Sequence, residues 1–329
     1  MESQNNKTEW GITVEQEREI WSKEILNILI PLPKHCNCCN KGLINLRKNN
    51  SINNPYLGKC NNYKCNREVY LRVGTIFEYN NKTPVSILYN VIIYWLHDDL
   101  NANKIVSKLK ETYNLTTFNK VIIYKFISRL RIIIANYIRS IYVLEPLAHY
   151  NAHNEIACDE SLFTHCGGNA TWVVGLLNLD NNEIRLEIVE SRDSPTLKTI
   201  IEKHIMGGNI IYTDCWSGYN FLSNINSNYT HISFNHANGH FGKTSRIEGI
   251  WGEIKQKFKK LYNSIRSTNF IYFLREMEFR RSIKMLSKED KIKNLATAIS
   301  VVGIDAKENL LGENDLLDLY YETMYDDDY

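Results

Sequence analysis

An acid at the end of an apolar run, and a second acid on the helix that follows, constrain the fold most strongly. Ile210, Ile211 and Tyr212 lead into Asp214, as in a buried strand that carries a carboxylate at its C-terminal end. Glu248 lies in a later segment whose apolar residues recur at helical spacing and form one buried stripe. The stripe consists of Ile247, Ile250, Trp251, Ile254 and Phe258.

A row of lysines continues the segment that carries Glu248. Carboxylates held by a core and followed by lysines are suited to binding a metal ion and reaching a phosphate chain. A solvated helix face is an equally good interpretation of the lysines alone. The row consists of Lys255, Lys257, Lys259 and Lys260.

The second half of the chain alternates between strand and helix patterns. Three strands are predicted first, and a short polar turn at 178–182 makes the second and third a hairpin. A helix capped at Ser194-Pro195 follows, and then the strand that ends at Asp214. The remaining strands are predicted at 155–160, 171–179, 183–190 and 230–234.

Asp159 supplies a third carboxylate, in the first of these strands. If the first strand and the strand ending at Asp214 are parallel neighbours, the two aspartates lie side by side and the later helix brings Glu248 across them. Hard oxygen ligands of this kind suit Mg²⁺ or Mn²⁺. Two such ions can activate a nucleophile and stabilise a leaving oxygen in phosphoryl transfer.

Other residues near these acids receive structural interpretations. Glu160 is expected to face the side of the strand opposite to Asp159. His236 and His240, in the loop before the helix, could contact DNA or a leaving group, but loop histidines without a partner usually do neither. Cys158, Cys166 and Cys215 are interpreted as small buried residues. Trp216, Tyr219 and Trp251 are interpreted as packing around the acids, with base stacking as the alternative.

A cysteine-rich segment in the first half of the chain predicts a structural zinc site. Cys36 and Cys39 form one close pair, and Cys60 and Cys65 form another. Four thiolates in two pairs suit a tetrahedral Zn²⁺ ion, and a segment this short has little core without it. Cys38 is an alternative first ligand.

The helices around this segment carry basic residues. A helix is predicted over 14–30 with Thr13 as its cap, and another begins at Thr83-Pro84. Asn101 caps a short helix, and a long basic helix follows, which is a helix-turn-helix pattern or part of a plain helical bundle. Its polar face carries Lys120, Lys125 and Arg129.

The charge is uneven although the net charge is only +2. Basic blocks at 34–72, 104–139 and 246–293 are offset by an acidic tail from Asp305 onward. This distribution favours a polyanionic partner such as nucleic acid. With neither a signal-peptide pattern nor a membrane-spanning apolar run, an intracellular protein acting at DNA and not at a membrane is expected.

The chain resembles DDE-type cut-and-paste DNA transposases with an RNase H-like core, specifically the Merlin group and related bacterial insertion-sequence transposases. The resemblance covers roughly residues 20 to 285. It is carried by the segments C-N-N-Y-K-C…G-T-I-F-E, C-D-E-S, T-D-C-W-S-G-Y, T-S-R-I-E-G-I-W-G-E-I-K and F-L-R-E-M-E-F-R-R.

The resemblance implies that Asp159, Asp214 and Glu248 are the catalytic metal ligands. Many relatives carry Asn three residues before the motif glutamate, and some use a non-acidic third ligand. Ser245 stands there in this chain, which favours Glu248. The resemblance also implies that the ribbon and helical region contact inverted repeats at the transposon ends, and that a homodimer or larger oligomer assembles on double-stranded DNA.

The expected fold class is α/β: an RNase H-like mixed sheet flanked by helices, preceded by a small zinc ribbon and an all-α helix-turn-helix region. Two alternatives stay open, a domesticated and catalytically inactive sequence-specific DNA-binding protein, and an RNase H-like nuclease with another substrate. The expected organisation is an N-terminal helix at 1–33, the ribbon at 34–80, the helical region at 81–146, the catalytic domain at 150–288 and the acidic tail at 289–329.

Overall fold

The protein is described by a computed structural model. It describes residues 9–164, 170–224, 227–235, 242–261 and 270–304, and the predicted acidic tail beyond 304 lies outside them. The described residues form two compact units, one made of 9–133 with 286–304 and the other of 134–285.

The helices agree with most of the predicted pattern, and one of them was not predicted. The last helix begins at Lys288, directly after its capping residue Ser287, in a part of the chain that was assigned to the acidic tail. The helices are α1 (Val14–Ile20), α2 (Val85–Ile92), α3 (Ala102–Tyr113), α4 (Lys120–Leu144), α5 (Ser194–His204), α6 (Ser245–Leu261), α7 (Phe270–Ser282) and α8 (Lys288–Val302).

Two helix caps are as predicted and two are not. Thr13 forms a capping box with Gln16, and Asn101 accepts a hydrogen bond from the amide of Lys104. The cap of α5 is Asp193, not Ser194, because its carboxylate accepts from the amide of Thr196. The predicted cap at Thr83 is also wrong, since Pro84 occupies the cap position of α2 in an extended conformation.

The buried carboxylate of Glu17 ties α1 to α2. It accepts hydrogen bonds from the indole of Trp21 at 2.9 Å and from the amide of Ser86, in the first turn of α2, at 3.1 Å. Burial raises the pKa of Glu17. The helix predicted to run to residue 30 is shorter, because a wide helical turn ends at Ile25 and Leu26 is extended.

The first unit contains a small antiparallel sheet with the order β1-β2-β3. Its cysteine-bearing turns lie before β1 and between β2 and β3. The helices α3 and α4 follow with a connection at 114–119, and their predicted role as a helix-turn-helix remains a prediction. The strands are β1 (Ile44–Ser51), β2 (Asn54–Cys60) and β3 (Glu68–Tyr70).

The second unit is built on a mixed five-stranded sheet with the order β6-β5-β4-β7-β8. Strands β4, β5 and β6 pair antiparallel, whereas β7 and β8 add in parallel on the other side of β4. The predicted RNase H-like mixed sheet flanked by helices is confirmed. The strands are β4 (Glu155–Thr164), β5 (Ala170–Asn178), β6 (Ile184–Val189), β7 (Ile210–Asp214) and β8 (Thr230–Phe234).

Alternation along β4 gives the sheet two apolar faces. Ala157 packs in a core formed with α6 and α7, whereas Ile156 and Cys158 pack in a second core with α5. The same alternation holds in β7, where Tyr212 belongs to the α6 side and Ile211 to the α5 side. Each face of the sheet is therefore covered by helices. Because successive residues of a strand point to opposite faces, an odd or even position (its parity) decides on which face an acid of β4 or β7 lies.

Glu187 on the edge strand β6 joins helices from both sides of the sheet. It accepts a hydrogen bond from His204 of α5 at 2.7 Å and pairs with Arg275 of α7 at 3.2 Å. Burial alone would raise the pKa of Glu187, but the hydrogen bond from His204 and the charges of Arg275 and Lys203 lower it to about 2. The carboxylate therefore stabilises the fold in its ionised form.

We predict that Glu187→Gln lowers the free energy of unfolding at pH 7 by about 3 kcal/mol, the value of a pKa depressed from 4.5 to about 2. A lowered carboxyl pKa stabilises the protein above the unfolded pKa, and this contribution is lost as the pH falls towards 2. Urea unfolding at a series of pH values measures the difference. Glu190→Gln, an exposed carboxylate next to the same strand, is the control. A wild-type advantage that stays constant from pH 7 to pH 3 would contradict this account.

Candidate active site and metal centres

The four predicted zinc ligands lie together in the first unit. The Sγ atoms of Cys36 and Cys65 are 3.7 Å apart, as are those of Cys39 and Cys60, and all four lie within 4.8 Å of one another. A zinc ion with four thiolates at about 2.3 Å has S–S edges of about 3.8 Å. The donor set and its spacing therefore fit a structural Zn²⁺ site.

Backbone turns shape this cluster. Asn40 and Asn66, each next to a ligand cysteine, adopt left-handed conformations that let the chain turn around the sulfurs. The amides of Lys41 and Gly42 lower the pKa of Cys39 to about 6, which favours the thiolate needed for metal binding. Cys38 is exposed and is not part of the cluster, so the alternative ligand is not supported.

Asp159 and Asp214 lie on adjacent parallel strands. The register pairs Ala157 with Tyr212, so that each aspartate stands two residues beyond a matched pair. Because Ala157 and Tyr212 face the α6 side, both aspartates have the parity of that side. The strand order predicted for these acids is therefore the one observed.

Helix α6 carries the third acid and a contact to the first. The indole Nε1 of Trp251 donates a hydrogen bond to Oδ2 of Asp159 at 3.1 Å. The ring has room because Gly175 stands opposite Asp159 on β5, where an added Cβ would lie 2.6 Å from Cζ2 of Trp251. Glu248 is half-buried in the first turn of α6.

The acids affect one another electrostatically. Burial raises the pKa of Asp159 to about 6, and the charges of Asp214 and Glu248 add to this effect. Glu160 has the opposite parity, and burial raises its pKa to about 7, although a hydrogen bond from Tyr219 opposes the shift. A cation would relieve the repulsion among Asp159, Asp214 and Glu248.

These three carboxylates are a donor set that suits Mg²⁺ or Mn²⁺, which prefer hard oxygen ligands and retain water. Their oxygens are more widely spaced than the cysteine sulfurs. Among the residues that the structure describes, the four cysteines are the only group of three or more ligand side chains within 4.8 Å of one another.

The predicted DNA-contacting residues fall on two helices. Lys255 and Lys259 are exposed on α6, Lys257 is half-buried, and the side chain of Lys260 lies outside the described residues. On α4, Lys125 is exposed while Lys120 and Arg129 are half-buried. The guanidinium of Arg129 lies 3.2 Å from the ring centroid of Tyr79.

The interpretation of the aromatic residues near the acids is right for two of them. Tyr219 and Trp251 are 1% and 5% exposed, whereas Trp216 is 39% exposed and is not a core residue. Arg192, which no sequence pattern singled out, contacts the ring of Trp216. Cys158 is buried as expected, but Cys215 is exposed, and His236, His240 and Cys166 lie outside the described residues.

Comparison with protein families finds a match, which lies within the second unit. Residues 164–282 match the family model of the ISXO2-like transposase domain. This part of the chain is therefore similar to a transposase domain. The matched residues include Asp214 and Glu248 and begin after Asp159. The predicted resemblance to DDE transposases with an RNase H-like core is thereby confirmed.

Three solved structures of viral proteins are similar to part of this chain. A chain of the simian T-cell lymphotropic virus intasome in complex with PP2A regulatory subunit B56 gamma is 13% identical, with 44% of this chain and 50% of that chain covered and a TM-score of 0.30. The HTLV-2 integrase catalytic core domain in complex with magnesium (dimeric form) is 11% identical, with 44% and 89% covered and a TM-score of 0.28. Its trimeric form is 11% identical, with 54% and 98% covered and a TM-score of 0.25. None of the curated proteins compared matches the chain.

The helices within the described residues are all too short or too polar to cross a membrane.

We predict that the purified protein contains about one equivalent of zinc, and that Cys39→Ser lowers the zinc content and destabilises the first unit because one of four thiolates is lost. Metal analysis and thermal unfolding with and without a chelator measure both effects. Cys38→Ser is the matched control, since this neighbouring thiol is exposed and outside the cluster. Zinc-free wild-type protein, or equal losses in the two variants, would refute the site.

We predict that Gly175→Ala destabilises the protein by about 1–3 kcal/mol, because the added Cβ displaces the indole of Trp251. Gly249→Ala on α6 is the control, since its added Cβ meets nothing within 4 Å, and it should be neutral or stabilising by up to about 1 kcal/mol. Chemical unfolding measures both changes. Equal stability of the two variants would show that the ring does not need the space at Gly175.

Proposed function

We propose that the protein is a DDE transposase that binds terminal inverted repeats and catalyses metal-dependent DNA cleavage and strand transfer. The observation that carries the proposal is the placement of two aspartates on adjacent parallel strands, on the side of the sheet covered by the helix with Glu248, in a unit whose residues 164–282 match a transposase domain. The combination of these three carboxylates supports catalysis and argues against a domesticated protein that only binds DNA.

Asp159, Asp214 and Glu248 would hold Mg²⁺ or Mn²⁺ ions. When bound, such ions lower the pKa of a water nucleophile and stabilise charge on the leaving oxygen. The magnesium in the complex of the HTLV-2 integrase core belongs to that protein. For this chain, the support for the metal is the charge and chemistry of its own three carboxylates.

The proposed reaction has two phosphoryl-transfer steps. In the first, water attacks the phosphorus at the transposon end, the bond from phosphorus to the 3′ oxygen breaks, and a 3′-OH is released. In the second, this hydroxyl attacks a phosphodiester of the target, and the 3′ oxygen of the target strand leaves. Catalysis of both steps depends on positioning and on stabilising negative charge.

The residues around the aspartates support this positioning. The indole of Trp251 donates a hydrogen bond to Oδ2 of Asp159, and the amide of Trp216 donates to Oδ1 of Asp214 at 2.9 Å. Each aspartate therefore has a fixed direction before substrate arrives. Preorganised ligands of this kind avoid the cost of ordering side chains during the reaction.

Basic residues on α6 and α4 are proposed to contact the DNA backbone. Lys255, Lys257, Lys259 and Lys260 follow Glu248 along its helix and suit the phosphates near the cleavage position. Lys120, Lys125 and Arg129, with the zinc ribbon, suit recognition of the transposon ends. A homodimer or larger oligomer would bring two ends together.

We predict that Asp159→Asn, Asp214→Asn and Glu248→Gln each lower the rates of cleavage and strand transfer by about 100-fold or more. Loss of a residue that only supports a metal ligand already lowers metal affinity or activity by about 10- to 100-fold. The assay uses DNA with the inverted repeats that flank the open reading frame, in Mg²⁺ or Mn²⁺. DNA binding by the three variants should persist.

Glu253→Gln is the matched control for Glu248→Gln. Glu253 is an exposed carboxylate on the same helix and pairs with Lys284. The Glu253→Gln variant should cleave DNA at the wild-type rate. Wild-type cleavage by Asp214→Asn would refute the proposed catalytic role, and end binding without cleavage by the wild-type chain would favour the domesticated DNA-binding protein.

A further inference from the structure

Trp216 is an exposed aromatic residue beside the candidate catalytic acids. Its side chain is 39% exposed, although a large apolar ring usually gains most from burial. It stands two residues after Asp214, and its backbone N–H donates to the carboxylate of that aspartate at 2.9 Å. This hydrogen bond fixes the backbone of Trp216 next to Asp214, the last residue of β7.

The edge of the Trp216 ring is held from two sides. Its Nε1 donates to the backbone carbonyl of Arg192 at 3.3 Å, and a Cβ added at Gly218 would lie 2.7 Å from the same nitrogen. Since the indole donor already has a partner, the exposed part of the ring presents aromatic surface rather than a hydrogen-bond donor. The exposed part of the side chain can therefore stack on a ligand but offers no N–H group for a hydrogen bond to it.

The positively charged side chain of Arg192 lies against the exposed ring of Trp216. The guanidinium of Arg192 lies 4.3 Å from the ring centroid of Trp216 and 4.4 Å from that of Trp172 on β5. Contacts of this kind fix an arginine against aromatic rings while its donors stay available for hydrogen bonds. Trp172 also packs against the core on the α5 side, which anchors the group.

The chemistry of this group points to one class of ligand. The exposed part of the Trp216 ring is aromatic surface, and the guanidinium of Arg192 lies beside that ring. A flat, uncharged aromatic group gains stacking energy on such a surface. A phosphate attached to that group would be attracted by the positive charge of Arg192. An unpaired DNA base satisfies these conditions.

We propose that Trp216, supported by Arg192 and Trp172, binds an unpaired base of the DNA strand next to the cleavage position. The inference rests on the proposed function and adds a base-binding subsite to its active site. Stacking is tolerant of base identity and is worth about 1–3 kcal/mol per base. The subsite therefore favours a base that has left the helix over any particular sequence.

The direct test uses the full-length chain and a short thymidine oligonucleotide that carries one 5-iodouracil. Irradiation of the complex, followed by mass spectrometry, should locate the crosslink at Trp216. Trp216→Ala should weaken binding of this single strand by about 5-fold or more, with little effect on a blunt duplex, because stacking is lost. Trp216→Phe should retain most of the affinity, since it keeps an aromatic face.

Tyr150→Ala is the matched control. Tyr150 is a 66% exposed aromatic residue of the same unit and lies near Gly207, before β7 begins. It should bind the single strand as the wild type does. Unchanged single-strand affinity in Trp216→Ala, or a crosslink only at other residues, would overturn the inference. An equal loss for single strand and duplex would also overturn it, because that result indicates phosphate contacts.

The same assay separates this inference from the proposed function. Asp159→Asn should keep the crosslink at Trp216 while it loses cleavage. If the wild-type chain crosslinks at Trp216 but cleaves no end DNA, the proposed catalysis fails and the base-binding subsite stands. If it cleaves end DNA without a crosslink at Trp216, the subsite fails and the catalysis stands.

Discussion

The candidate active site depends on how closely α6 approaches β5. Gly175 leaves the space into which the indole of Trp251 fits, and from there the indole reaches Asp159 on the neighbouring strand. Because Trp251 and Glu248 lie on one helix, the packing that seats the tryptophan also sets the position of the third acid. The packing of Trp251 against Gly175 and the placement of the acids therefore depend on each other.

Much of this arrangement follows from sequence pattern because it depends on local periodicity. Strand β8 was predicted with its observed bounds, and the parity of β4 separates Asp159 from Glu160 as expected. The cysteine spacing likewise predicts the cluster of four sulfurs. In each case, neighbouring residues along the chain determine the direction in which a side chain points.

The sequence-based predictions were wrong mainly where the local structure depends on residues that are distant in the sequence. The first turn of α2 is satisfied by Glu17, which is 69 residues away, so the local cap predicted at Thr83 was not needed. The indole of Trp216 is held by the backbone carbonyl of Arg192, which is 24 residues away and which no local pattern connects to it. Helix α8 was missed because its charged residues were grouped with the acidic tail, although Ile292, Leu295 and Ala298 form a buried face.

The pairing of β4 with β7 has a consequence for the order of events during synthesis. The two aspartates are brought together by strands that are neighbours in space but are far apart in the chain, with a hairpin and α5 between them. Closing so long a loop is entropically costly until the intervening elements have folded. A nascent chain therefore has no assembled set of acids until β7 and α6 have left the ribosome. Under the proposed function, incomplete chains that retain the basic N-terminal segments would bind DNA without being able to cleave it.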